Sequence, residues 1–307
     1  MAGYKRARWA FLGLCILLLV GCMLEKTTLQ PVKPVGKPLR APQAKDGSNE
    51  IDQQAKASPP LTNEPAKPVV NMKPKVRTEK VTNKLTVAER KQLEALKSQP
   101  LFYRGPAFRK QVALTFDDGP DERFTPQVLA ILKKEQVPAT FFVVGKMVER
   151  YPEVVRQIVE EGHVVGNHSY SHKELTKLSL AQVDAEIDRT GALVYDAIHK
   201  KPLFIRPPYG AIDDEITLHL GKRGYKVIQW SVDTLDWRKG NSPYNIVDKV
   251  KANIEAGGII LQHSFGGTQI GNSVEALPYI IKYLEDSGYE FVTVDRLLDI
   301  PAYSETE

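Results

Sequence analysis

Cysteine is nearly absent from this chain: two in 307 residues, Cys15 and Cys22, both near the start. Two thiols cannot build a disulfide framework or a cysteine-rich zinc module. Also missing is a block of Lys and Arg interleaved with aromatics, the footprint that phosphate backbones require. No Gly-x-Gly-x-x-Gly follows the first strand-like segment, so the usual dinucleotide fingerprint is lacking. The net charge of +5 is uneven: residues 1–85 carry 15 Lys+Arg and 6 Asp+Glu, whereas residues 86–307 carry 27 and 31. The basic character belongs to the front and the remainder is mildly acidic, which argues against a nucleic-acid partner. With 42% hydrophobic and 26% charged residues the chain is not disordered throughout.

The front divides again. Lys5, Arg6 and Arg8 precede an apolar run from Trp9 to Val20 that ends in Leu19-Val20-Gly21-Cys22. A charged region followed by about a dozen apolar residues is the pattern of a secretory signal and is short for a membrane span; an uncleaved helical anchor is the alternative. The Leu-Val-Gly-Cys ending resembles a bacterial lipobox. That resemblance implies cleavage before Cys22, lipid attachment at Cys22, and anchoring at the outer face of the cytoplasmic membrane. Cys15 would leave with the signal, and the mature globular part would hold no cysteine, as suits an exported protein. Residues 23–85 carry nine prolines between Pro31 and Pro74 with scattered lysines. Such a stretch buries too little apolar surface to offset its conformational entropy and reads as a disordered tether.

Residues 86–307 read as one folded domain. Thr86-Val87-Ala88-Glu89 matches a helix capping box. Beyond Pro100, β-rich runs at Val112–Phe116, Ala139–Val144, His163–Gly166, Phe204–Arg206, Lys226–Val232, Gly258–Gln262 and Glu290–Val294 alternate with amphipathic stretches. Those stretches are Thr125–Gln136, Met147–Glu161, Ser179–Lys200, Asp213–Arg223, Tyr244–Ala256 and Val274–Ser287. Strands alternating with helices predict βαβ units and a parallel sheet. About seven strands in one domain suit a closed or nearly closed (β/α) barrel; a doubly wound open sheet is the alternative.

In such a barrel the working residues sit where strands finish. The polar clusters obey that rule: Thr115-Phe116-Asp117-Asp118-Gly119-Pro120, Asn167-His168-Ser169-Tyr170-Ser171-His172, Arg206-Pro207-Pro208-Tyr209-Gly210, Asp233-Thr234-Leu235-Asp236-Trp237 and Leu261-Gln262-His263 each close a strand. Side chains alternate along a strand, so Asp117 and Asp118 can serve different partners. His168-x-x-x-His172 can lie on one side of a helical turn and share a metal. Two imidazoles and one carboxylate leave coordination positions open, a set that suits zinc hydrolases and iron oxygenases alike. Taken singly, Asp-Asp-Gly-Pro is a turn, Arg-Pro-Pro-Tyr a rigid loop and Trp237 a core residue. Five clusters at matching strand ends are not independent turns. His163 opens a strand, and His199 and His219 lie on predicted helices without clustered partners; all three are read as structural or solvent-facing.

These clusters, in this order, resemble the NodB-homology polysaccharide deacetylases, carbohydrate esterase family 4, over roughly residues 108–300. The resemblance implies a distorted (β/α) barrel and removal of N-acetyl groups from a glycan. It implies that Asp118, His168 and His172 bind a divalent metal, usually zinc. Asp117 would be the general base with Arg206 as its charge partner, and His263 the general acid oriented by Asp236. The backbone N–H of Tyr209 would face the oxyanion, while Trp237 and Leu261 would line the pocket for the acetyl methyl. No motif residue departs from the pattern. The expected substrate is a cell-envelope glycan, foremost the N-acetylglucosamine of peptidoglycan; N-acetylmuramic acid, chitin, poly-N-acetylglucosamine and O-acetylated xylan stay open, as does a non-catalytic glycan-binding lipoprotein. A monomer is expected.

Overall fold

The computed structural model describes residues 85–304. The expected signal, lipid-bearing Cys22 and tether all fall in residues 1–84, outside the described residues. Among the described residues no helix is long and apolar enough to cross a membrane.

The domain opens with α1 (Val87–Lys97), where Thr86 caps the helix and Glu89 returns a bond to the Thr86 backbone. Such a cap is worth about 1 kcal/mol. The strands are β1 (Leu101–Phe102), β2 (Gln111–Asp117), β3 (Ala139–Val143), β4 (Val164–Asn167), β5 (Phe204–Ile205), β6 (Lys226–Ile228), β7 (Val232–Asp233), β8 (Gly258–His263) and β9 (Glu290–Phe291). The helices between them are α2 (Thr125–Glu135), α3 (Gly145–Arg150), α4 (Pro152–Glu160), α5 (Leu180–Ile198), α6 (Asp214–Lys222), α7 (Pro243–Asn253), α8 (Ile270–Asp286) and α9 (Val294–Leu298). Every strand pairing is parallel, in the order β1-β6-β5-β4-β3-β2-β8-β7 with β9 beside the start of β2.

The sheet is curled into a distorted barrel rather than opened flat. In a flat sheet β5 and β2 would lie about 14 Å apart, three strand spacings, beyond the reach of an arginine side chain. Yet Arg206, just past β5, donates to Asp117 at the end of β2 across 2.8 Å. The chain draws the two edges together by running from β6 through Trp230 and Ser231 into β7, which pairs with β8 at the other end of the order.

Three sequence expectations change in detail. The segment Lys226–Val232 is two strands, β6 and β7, because Trp230-Ser231 carries the chain from one sheet edge to the other. The stretch Met147–Glu161 is two helices broken at Tyr151-Pro152, since proline has no N–H to continue the first helix. β1, only two residues long, was too short to show a period.

Side-chain alternation sorts the barrel into an outer and an inner set. Val112, Leu114 and Phe116 of β2 pack outward with Val128, Leu129 and Leu132 of α2, and Ile260 of β8 joins them with Ile280 and Leu284 of α8. Ala113 of β2, Phe142 of β3 and Ile259 of β8 point inward and meet Val294, Leu297 and Leu298 of α9. Helix α9 thus fills the interior at the amino end of the strands with hydrocarbon. Further along each strand the inward set turns polar: Thr115 and Asp117 follow Ala113 on β2, and His263 closes β8 after the apolar Leu261.

Candidate active site

Three of the predicted site residues converge at one point. His168 Nε2 and His172 Nε2 lie 3.4 and 3.0 Å from Asp118 Oδ1, and the three ligand atoms all fall within 4.8 Å of one another. Asp118 Oδ1 is buried and makes no hydrogen bond. His168 Nδ1 lies 2.7 Å from the Arg206 carbonyl, which accepts its N–H and leaves the Nε2 lone pair facing Asp118. Electron-pair donors meeting this way attract positive charge, whether a proton or a metal ion. Burial opposes ionisation of Asp118, but His168 and His172 outweigh it and hold the carboxyl well below the usual carboxylate range. Burial likewise opposes charge on His168, and Asp117 and Asp118 outweigh it, raising the imidazole above its ordinary value. By donor type and convergence these residues fit a divalent cation.

The two aspartates diverge, as strand alternation predicts. Asp118 takes a left-handed backbone conformation, φ 74°, ahead of a cis peptide between Gly119 and Pro120. A side chain at residue 119 would meet Ser264 Oγ at 2.6 Å and Thr125 Oγ1 at 3.1 Å, so any substitution there must displace the Ser264 hydroxyl. Asp117 turns inward, where Arg206 Nη1 reaches its Oδ1 at 2.8 Å and Thr115 Oγ1 at 2.7 Å. The rest of the guanidinium donates to the carbonyls of Ile228 and Gln229, and its Cζ lies 4.1 Å from the Phe142 ring centroid. Arg206 is fully buried, and its charge is tolerated because Asp117 pairs with it and each guanidinium nitrogen finds an acceptor.

On the other side of Asp117, His263 is its register partner on β8. The His263 Nδ1–H donates to Asp236 Oδ1 at 2.7 Å, and the His263 backbone N–H donates to Asp236 Oδ2 at 2.8 Å. Burial works against protonating this imidazole; the Asp236 charge and hydrogen bond win and push its pKa up to about 9. Near neutral pH the residue therefore carries a proton beside the Asp117 carboxylate.

The model of the polysaccharide deacetylase family matches residues 104–228. A peptidoglycan-N-acetylglucosamine deacetylase of Bacillus cereus is 43% identical over 195 residues, which cover 64% of this chain and 70% of the relative. The chain belongs to the polysaccharide deacetylases, carbohydrate esterase family 4. The peptidoglycan-N-acetylmuramic acid deacetylase PdaC of Bacillus subtilis is 38% identical over 229 residues, covering 75% of this chain and 47% of that one. Among solved structures, a peptidoglycan N-acetylglucosamine deacetylase in complex with an N-oxidanyl-benzamide ligand superposes with a TM-score of 0.66 at 39% identity, over 68% of this chain and 97% of that one.

Within this deacetylase the remaining predicted residues lie around the same strand ends. Tyr209 is 70% exposed, takes a left-handed backbone conformation at φ 62°, and sets its ring edge-on to His172 at 4.7 Å. Trp237 follows Asp236 and is 45% exposed. Leu261 is buried and belongs to none of the three apolar clusters; alternation puts it on the face of Asp117 and His263. One expectation is overturned. His168 and His172 do not share a helical turn: residues 168–174 form an irregular loop in which Ser169 and His172 are both left-handed, at φ 62° and 57°. Those two reversals, rather than helical spacing, bring the rings to 5.0 Å.

The histidines outside the site differ from expectation in one case. His163 is buried and accepts the Ala139 N–H, and His199 caps the end of α5. His219 is partnered: its Nε2 lies 2.7 Å from Asp184, which also pairs with Arg223. No motif marks Ser273 on α8, whose hydroxyl donates to Asp236 Oδ2 at 2.6 Å from 37 residues away.

Proposed function

We propose that this deacetylase removes the acetyl group from N-acetylglucosamine residues of peptidoglycan with a divalent metal, zinc by preference, held by Asp118, His168 and His172. The observation that carries the proposal is the meeting of the unpartnered Asp118 Oδ1 with two imidazole nitrogens beside the Asp117–Arg206 and His263–Asp236 pairs. The names of the relatives supply the substrate class. A divalent ion in such a site supplies Lewis acidity, polarising an amide carbonyl and making water more acidic.

The protein's own groups then have distinct tasks. Asp117 accepts a proton from the attacking water, and Arg206 holds its other oxygen in place, so the carboxylate is aimed before substrate arrives. As the water oxygen bonds to the acetyl carbon, the main-chain N–H of Tyr209 donates to the developing oxyanion, a contact of a kind worth ~3–4 kcal/mol. An amine leaves badly unless protonated. His263, already cationic and steered by Asp236, gives its proton to the sugar nitrogen as the carbon–nitrogen bond breaks. The products are acetate and a free amine on the glycan. Trp237 and Leu261 flank the acetyl methyl.

The sequence around Cys22 supports a second part: a lipid on Cys22 and the tether of residues 23–85 hold the enzyme, as a monomer, at the outer face of the cytoplasmic membrane. Cys22→Ser is expected to move the protein into the soluble fraction; membrane retention of that variant would overturn the anchor.

Acetate release from a panel of glycans tests the catalytic reading. Peptidoglycan with N-acetylated glucosamine should release acetate, a chelator should stop it and zinc should restore it. Release confined to muramic acid residues, chitin or acetylated xylan would replace the substrate, and binding without release from any of them would favour a non-catalytic glycan-binding protein.

A further inference from the structure

The loop from His168 to His172 is left-handed at two non-glycine residues, Ser169 and His172. Such conformations are unfavourable for residues with a side chain and persist only where surrounding structure over-determines them. Several contacts hold this loop. The carbonyls of Ser169 and Tyr170 accept from the N–H groups of Gly145 and Lys146 at the start of α3. Asn167 accepts the Ser169 N–H and donates its own amide to the Ile187 carbonyl of α5. Ser169 Oγ accepts the His172 N–H at 3.1 Å, and the middle of the loop is held by Glu186, one helix residue before Ile187 on α5. Its Oε2 accepts the Ser171 N–H at 2.7 Å and its Oε1 accepts the Ser171 hydroxyl at 2.6 Å.

Glu186 is buried, an expensive place for a carboxylate. Lys173 Nζ, 3.8 Å away and mostly exposed, is its nearest counter-charge. Two short bonds to one loop residue, rather than a close ion pair, are what the burial serves. Ser171 lies next to His172, so holding Ser171 fixes where the second imidazole starts. Glu186 makes its hydrogen bonds and ion pair with Ser171 and Lys173 and none with His168 or His172, and it has no place among the residues the family pattern singles out.

We infer that Glu186 is a positioning residue that pre-sets the His168–His172 loop for metal capture, acting through Ser171. The inference rests on the metal reading proposed above. Outer contacts of this kind typically change metal affinity by about 10–100-fold when removed.

The test uses the full-length chain and two readouts: zinc affinity by competition with a chelator, and amide hydrogen exchange of Ser171 and His172 in metal-stripped protein. Glu186→Ala should weaken zinc about 10–100-fold and speed exchange at Ser171 at least about tenfold, because that N–H loses its acceptor. Glu186→Gln, which can still accept from the N–H and exchange roles with the hydroxyl, should stay within about threefold of wild type on both. Should Glu186→Ala fail to fold, Ser171→Ala removes one of the two bonds and is expected between wild type and Glu186→Ala. Wild-type zinc affinity with wild-type exchange in a folded Glu186→Ala, or a Glu186→Gln as weak as the alanine variant, would overturn the inference. Failure of the wild-type chain to take one zinc would instead overturn the metal reading, while the exchange contrast would still decide whether Glu186 holds the loop.

Discussion

His163 and His263 are both largely buried, at opposite ends of the same parallel sheet, and burial has opposite outcomes for them. His163 stands at the amino end of β4, 5% exposed, with its ring edge against Phe141 and its Nδ1 accepting the Ala139 N–H. Its other ring nitrogen has no hydrogen-bond partner, and burial pushes its pKa down to about 4. His263 stands at the carboxyl end of β8, where burial is overridden by Asp236 and the pKa rises to about 9. Desolvation alone always favours the neutral ring. A buried histidine becomes an acid only where a carboxylate shares its burial, and in this barrel the buried Asp117 and Asp236 stand at the carboxyl end of the strands.

The sharpest way to break the comparison is to remove proton-handling groups at each end. Asp117→Asn should lower kcat by about 10²–10⁴-fold, and His263→Gln by a similar factor, while metal content by elemental analysis stays at the wild-type level. His163→Gln, which keeps an acceptor for Ala139, should leave kcat within about twofold, since no proton moves there. Near-normal turnover by Asp117→Asn would refute its role as base. Next in size is metal content: His168→Ala should lower bound metal about 10-fold or more, and unchanged stoichiometry would remove His168 from the ligand set.

Stability against pH should separate the two histidines by sign. Between the ordinary value of 6.5 and about 4, unfolded chains protonate His163 while the folded chain does not, so stability falls as pH drops through that window. The full loss is about 3 kcal/mol. His263 works the other way: its contribution is complete below 6.5 and is lost as pH rises through about 9. Thermal unfolding from pH 4 to 10 checks both. His163→Gln should flatten the acid side alone and Asp236→Asn the alkaline side alone. The smallest shift expected is kinetic: Asp236→Asn should also move the alkaline limb of kcat/KM downward from near 9, and an unmoved limb would detach Asp236 from the general acid.

The fold was legible because two periods were. Val112-Ala113-Leu114-Thr115-Phe116 alternates a filled outer face with an inner one, and the helices between strands keep their apolar stripes. The site was legible for a related reason: a parallel barrel gathers strand ends, so a cluster after each strand is a cluster in space. What could not be read depends on contacts far apart in sequence. Nothing local marks Ser273 as a partner of Asp236, or Glu186 as a holder of Ser171. The helical reading of His168-x-x-x-His172 failed because a four-residue spacing fits both a turn of helix and a loop with two left-handed residues. The break at Tyr151-Pro152, by contrast, was written in the proline itself.

Arg206 has a consequence for how this site can be dissected. Its side chain serves Asp117, but its main-chain carbonyl accepts from His168 and sets which nitrogen of that ring is free. Substitution deletes the first service and leaves the second untouched, because every amino acid brings the same carbonyl. A side-chain scan would therefore credit Arg206 with only half of its work, and the other half would become visible only by changing the backbone atom itself.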